Sequence, residues 1–342
     1  MPTHSMPLSK SARAGTPGAR SVRAIGSTLL PMGVVLLVSV SVGLVCGSSG
    51  CAIDIVSHDD LWQLRWSRVA MACVVGALLS LSGALLQLLL RNPLADPYTL
   101  GISSGAAVGA LLMTVVPMFG FVAAGMQLGA IVGALLSTAL LFLLTRRRLL
   151  APPALREMPG ISLILTGVML AAGLGAISSL LLVLAPDTAL RGALFWLMGD
   201  LDVEGVGSWI WLALLIAAGW SLLQAPKLNV LVHGEATAYL LGISVPGLRL
   251  QVLLIASLAT ALAVSAAGAI GFIGLVVPHV CRMVLGNDQR RLLPASMLLG
   301  AATLVLADLL ARTIAAPVQL PVGVLTALLG VPVFLLILSR RA

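Results

Sequence analysis

Apolar residues dominate this chain in runs of about twenty or more, separated by short breaks that are polar or rich in Gly and Pro. A membrane-spanning helix needs ~20 apolar residues. Runs of that kind are predicted over residues 27 to 46, 62 to 90, 97 to 117, 121 to 145, 160 to 185, 206 to 224, 248 to 268, 271 to 286, 293 to 314 and 322 to 339. The stretch from Arg249 to Gly286 is too long for one crossing and is divided at Gly268-Ala269-Ile270-Gly271. That division leaves the eighth helix short and requires the break to be buried in protein or to line a cavity. None of the runs alternates with a period of two, which excludes a closed β-barrel.

Two interruptions are longer than a hairpin needs. Pro226 to Gly247 (PKLNVLVHGEATAYLLGISVPG) carries Lys227, Asn229, His233, Glu235 and Thr237, with Gly234 and Gly242 available for sharp turns. Its 22 residues can hold one or two short helices outside the bilayer, and Ala238, Leu240, Leu241 and Ile243 give it an apolar side. It reads either as a docking platform for a soluble partner or as an amphipathic interfacial linker. The other, Pro186 to Gly207, has the apolar spacing of a short surface helix over Leu190 to Met198. Trp62, Trp66, Trp196 and Trp209 stand where interfacial anchors belong.

Composition agrees: 59% of the 342 residues are hydrophobic and 9% charged, more apolar surface than a globular core can hide. The chain is an all-α polytopic membrane protein of about ten helices, spanning residues 27–342 behind a basic, flexible tail at 1–26 read as cytoplasmic. With ten spans and an inside amino terminus, 16 of the 20 Lys and Arg fall inside, and only Arg65, Arg68, Arg191 and Arg312 outside. The positive-inside rule thus places both termini and the 226–247 loop in the cytoplasm. The basic balance therefore reflects topology, and without basic and aromatic interleaving it does not imply nucleic acid. Cys46, Cys51, Cys73 and Cys281 have no metal-ligand spacing and read as small apolar packing residues. Cys46 and Cys51 can pair only if both face an oxidising compartment.

Small residues form ridges, Gly101-x-x-x-Gly105-x-x-x-Gly109 and Gly125-x-x-x-Gly129-x-x-x-Gly133, suited to close helix packing. Residues 95–103 (ADPYTLGIS) and 236–244 (ATAYLLGIS) agree at six of nine positions, as an ancient half-repeat would. Chemistry-bearing groups are scarce inside the spans. Asp308 is the one carboxylate well inside a span, and Arg312 lies one turn on, which reads as an i, i+4 pair. HExxH, GxSxG and Gly-Lys-Ser/Thr patterns are missing, so neither a hydrolase nor an ATPase is encoded, and no metal or cofactor site is predicted. A bundle without an ion relay and without a nucleotide site must borrow its energy, which favours the platform reading of 226–247. Arg65, Arg68 and Arg312 lie at outer helix mouths, either as headgroup contacts or as a docking patch for an acidic partner.

Arg91 to Ala107 (RNPLADPYTLGISSGAA), Gly268 to Pro278 (GAIGFIGLVVP) and Leu320 to Leu325 (LPVGVL) together resemble the FecCD family of ABC importer permeases, which carry iron–siderophore complexes, haem or cobalamin. The resemblance runs in order from about residue 30 to the carboxyl end. It implies a type II importer bundle in the bacterial inner membrane: a homodimer of ten-helix subunits with the path along the dimer axis, an ATPase dimer beneath and a periplasmic binding protein above. It implies that Leu231, His233, Gly234, Glu235, Ala238, Leu241 and Gly242 belong to the ATPase coupling segment, with Gly234 and Glu235 at the contact. It matches Arg65, Arg68 and Arg312 to arginines that meet acidic residues of the binding protein. The path is expected along the second, fifth and eighth helices, with Leu85, Gln87, Met169 and Ser178 on its walls or in ordinary packing. The chain departs from the family pattern at LRWSR, where LRLPR is commoner, at Gln319, where Glu usually precedes LPVG, and in the basic tail before Ile25. A gradient-driven secondary transporter and a purely structural membrane subunit are the competing readings.

Overall fold

The computed structural model describes residues 17–48, 50–51, 59–115, 122–150, 159–201, 207 and 209–339. Among them are twelve α-helices and one two-residue antiparallel ribbon, Cys46–Gly47 with Gly50–Cys51. Seven helices are long and apolar enough to cross a membrane: α1 (Pro17–Val45), α2 (Asp59–Leu90), α4 (Val122–Leu150), α5 (Pro159–Leu184), α7 (Trp209–Val232), α9 (Val245–Ala267) and α11 (Gln289–Thr313). Three shorter apolar helices, α3 (Ile102–Val115), α10 (Ile273–Leu285) and α12 (Val322–Ser339), complete the ten predicted runs. The remaining two, α6 (Asp187–Leu197) and α8 (Glu235–Leu240), fall in the two long interruptions.

α2 is the axis. From Val69 to Leu90 it carries no charged residue, so it is apolar on every face, and such a helix is buried all round. α11, α9, α10 and α7 pack around it, and Leu78, Leu79, Leu81, Leu85 and Leu86 are fully enclosed. Small residues set the approach distances. A Cβ on Gly109 would overlap the carbonyl of Gly129, and one on Gly105 would meet Gly133 and Ser137, so the two predicted glycine ridges face each other across α3 and α4. The same device brings Gly76 of α2 against Gly300 of α11, and Gly83 of α2 against Gly274 at the start of α10.

Two boundaries differ from expectation. Helix α1 begins at Pro17, so the carboxyl-terminal part of the segment expected as flexible tail is helical; residues 1–16 lie outside the described set. α7 runs on through Pro226 to Val232, eight residues beyond the predicted 224. Proline removes one backbone donor and normally bends or ends a helix. Here Ala225, Leu228 and Leu231 keep a buried face at helical spacing, so packing outweighs the missing bond. The non-helical break between α9 and α10 falls at the expected glycines, with Gly268 at φ +65 and Phe272, unusually for a residue with a side chain, at φ +68.

Candidate functional site

At the end of the bundle that the Lys and Arg distribution assigns to the outside, two arginines from two distant helices converge on one carboxylate. Asp308 and Arg312 lie one turn apart on α11, and Arg312 Nε stands 2.9 Å from Asp308 Oδ2. Arg68 of α2 donates from Nε to Asp308 Oδ1 at 2.8 Å and from its NH1 nitrogen to Gln319 Oε1 at 3.0 Å. Arg68 was therefore the undetected third member of the expected i, i+4 pair, joined across 240 residues of sequence. A third nitrogen of Arg68 lies 3.7 Å from Asp200 Oδ1.

Arg65 and Arg312 also reach the carboxyl-terminal end of α1. Arg65 donates to the carbonyls of Leu44 and Val45 at 3.1 and 2.7 Å, and Arg312 to that of Gly43 at 3.5 Å. The last carbonyls of a helix lack intrahelical donors and carry the negative end of its dipole. Two guanidinium groups thus cap α1. A ribbon closed by a Cys46–Cys51 disulfide covers them, with Gly47 so close to the Arg65 guanidinium that a Cβ would lie 3.0 Å from Cζ. These cysteines, expected as packing residues, are bonded to each other. The consequence for the arginine mouth is a division of labour: Arg65 and Arg312 are buried by their own chain, at 8% and 5% exposure, while Arg68 keeps an edge toward solvent beside half-buried Asp200 and exposed Gln319.

At the opposite end, α8 is a single six-residue turn of platform. Gly234, at φ +133, lets the chain leave α7, and Gly242, at φ +76, lets it turn into α9. Glu235, expected on the partner-facing surface, points inward: its carboxylate pairs with Arg249 of α9 and lies 3.6 Å from Arg91 at the end of α2. The physical reason is charge pairing, since Arg249 is itself buried and needs an anion. Leu231 and Ala238 are likewise interior. The outward surface is Tyr239, Leu240 and Leu241, at 64%, 85% and 65% exposure, flanked by exposed His233 and Gly242. The half-repeat has the same backbone at both places. In each, a short helical turn ends in a left-handed glycine, Gly101 at φ +77 or Gly242 at φ +76, whose N–H donates to Tyr98 or Tyr239. In the first copy Leu100 is fully buried and Gly101 rests on α5, whereas the second copy projects.

The residues expected along the path are dispersed. Leu85 is enclosed on α2, and Gln87 donates to the carbonyl of Leu275 at 3.0 Å and accepts from Arg282 at 2.8 Å, so both lie within the subunit. Ser178 is buried on α5, and Met169 of the same helix is 66% exposed. Unsignalled by the sequence, Asp96 of the first half-repeat copy is buried between α2 and α3. Desolvation pushes its carboxyl up to about 7, partly opposed by a hydrogen bond from the Tyr98 backbone. Among the described residues no group of three or more His, Cys, Asp or Glu side chains could hold a metal ion.

Comparison with known proteins agrees with this architecture. The chain is 41% identical over 330 residues to an uncharacterised ABC transporter permease protein of Bacillus subtilis, covering 90% of this chain and 91% of that one. It is 41% identical to a cobalamin import permease of Halobacterium salinarum (81% and 73% covered) and 38% identical to a hemin transport permease of Yersinia pestis (93% and 95% covered). A solved metal-chelate-type ABC transporter in an inward-facing conformation superposes with a TM-score of 0.80 at 30% identity, over 92% of this chain and 99% of that one. The profile of the FecCD transport family matches residues 29–340, and the chain belongs to that family.

Proposed function

We propose that this chain is the permease subunit of an ATP-driven importer that passes an iron complex, siderophore or haem, or a cobalamin across the bacterial inner membrane, both termini facing the cytoplasm. Two copies form the pathway, a cytoplasmic ATP-binding-cassette dimer drives it, and a periplasmic binding protein delivers the cargo. The observation that carries the reading is the inner platform: an apolar tip at Tyr239–Leu241, exposed outside the spans, whose root at Glu235 is ion-paired to the ends of α2 and α9. A partner pushing on that tip pushes on the central helix. The exposed, small-residue face of α5, with Met169, walls the path between subunits, because Leu85 and Gln87 are inside one subunit. Arg68 is the charge presented to the binding protein, while Arg65 and Arg312 hold its surroundings in place. The chain itself makes and breaks no covalent bonds.

Proteoliposomes containing the chain with candidate ATPase and binding-protein partners, offered labelled ferric siderophore, haem and cobalamin separately, test this. Accumulation of one cargo that requires ATP and disappears in Arg68→Glu is the expected result. Uptake driven by a proton or sodium gradient in the absence of the ATPase refutes it.

A further inference from the structure

Arg68 has two acidic neighbours that hold it in different ways. Asp308 is 1% exposed at its side chain and accepts a 2.8 Å hydrogen bond from Nε. Asp200 is 36% exposed and its Oδ1 stands 3.7 Å from Arg68, an ion-pair separation longer than a hydrogen bond between those two atoms. A guanidinium is a rigid fork whose outer edge can take a carboxylate through two parallel bonds. An arriving carboxylate can offer that geometry to the outer edge by taking the place of Asp200 and of exposed Gln319, which accepts from the NH1 nitrogen at 3.0 Å, whereas Asp308 is shielded from replacement by burial.

Asp200 is also tied to the broken helix. Its backbone N–H donates to Ala267 at 3.0 Å, and the Ala269 N–H reaches Trp196 at 3.4 Å, which laces the end of α6 to the α9–α10 break. Gly323, at the start of α12, is so close to the carbonyls of Met198 and Ala269 that it admits no side chain. Phe272 closes the break in a left-handed conformation that is unfavourable for a residue with a side chain. That segment is held in place by its neighbours, so loosening one of its ties frees it to move.

We propose that Asp200 is the exchangeable counter-ion of Arg68: a carboxylate of an acidic docking protein replaces it on the exposed edge, Asp308 keeps the buried edge, and the exchange releases residues 196–200 together with the glycine break. This makes Asp200 a positioning residue and a sensor of docking, and it rests on the reading of Arg68 as the docking charge.

The test uses the full transporter in lipid nanodiscs with the binding protein that supports uptake in the reconstitution above. A Cβ at Gly271 meets nothing within 4 Å, so Gly271→Cys provides a thiol reporter inside the break. In the parent protein, binding-protein addition raises the maleimide labelling rate of that thiol severalfold. In Asp200→Asn the rate is already raised without binding protein, and the docking Kd falls about three- to tenfold because Arg68 no longer has to exchange a partner. Asp200→Ser repeats both measurements independently of the amide. Unchanged labelling and unchanged Kd in both Asp200 variants, alongside loss of docking in Arg68→Glu, overturn the exchange and leave the docking reading standing. Full docking in Arg68→Glu overturns both.

Discussion

Glu235 separates two views of the platform, contact residue or positioning residue, and its replacement by Ala decides between them. The Arg249 side chain is 4% exposed and that of Glu235 10%, so this is a buried pair. Deleting one member of a buried pair costs about 3–5 kcal/mol, mostly because the surviving charge stays desolvated. Arg91, 50% exposed at 3.6 Å, adds less than about 1 kcal/mol. The loss falls on a six-residue helix bounded by two left-handed glycines, so it appears as local opening of α8 while the bundle stays folded. At 1.36 kcal/mol per decade, amide exchange across residues 235–242 accelerates by roughly two to four decades. ATP hydrolysis in the assembled transporter continues while uptake falls. The double variant Glu235→Leu/Arg249→Met removes both charges and keeps the volume, and such replacements are often neutral. It restores slow exchange and uptake if Glu235 acts by holding α8. A double variant as defective as Glu235→Ala, or exchange unchanged in the single variant, refutes the positioning argument and returns Glu235 to the interface.

Three further outcomes are expected. Asp96 has a folded carboxyl pKa of about 7 against an ordinary 3.8, so the folded state binds the extra proton and loses stability as pH rises from about 4 through 7. Asp96→Asn should therefore raise thermal stability at pH 8, by up to about 4 kcal/mol at 1.36 kcal/mol per unit, and change little at pH 4; equal effects at both values contradict the buried carboxyl. Gly109→Leu, aimed at the Gly129 carbonyl, should destabilise by more than about 2 kcal/mol in size-exclusion thermal assays. Gly175→Ala, in open space on helix α5, should be neutral or slightly stabilising, and similar losses in the two would contradict the close α3–α4 contact. The Lys and Arg distribution assigns the Cys46–Cys51 disulfide to the outer end, so a membrane-impermeant maleimide applied from outside should label the two cysteines only after reduction; labelling from the cytoplasmic side would invert the topology.

Much of the architecture is local and therefore legible in the sequence. Ten apolar runs become ten helices because a helix satisfies its own backbone groups and needs only enough apolar length, a property of contiguous residues. The glycine break, the short helix near Leu190 and the existence of the two glycine ridges follow from the same kind of local signal, whereas the pairing of one ridge with the other is set by packing. The extent of α7 was not legible, because Pro226 is a local stop and the buried face of Ala225, Leu228 and Leu231 exists only once neighbouring helices are in place. Nor were the roles of the charges. The Asp308–Arg312 spacing announces a pair, but Arg68 joins it from 240 residues away and Arg249 claims Glu235 from across a turn. Sequence determines which residues carry charge and which segments can span a membrane. Tertiary structure decides which charges neutralise one another and which are left to face a partner, because in a low-dielectric interior an ion's energy depends on its spatial neighbours.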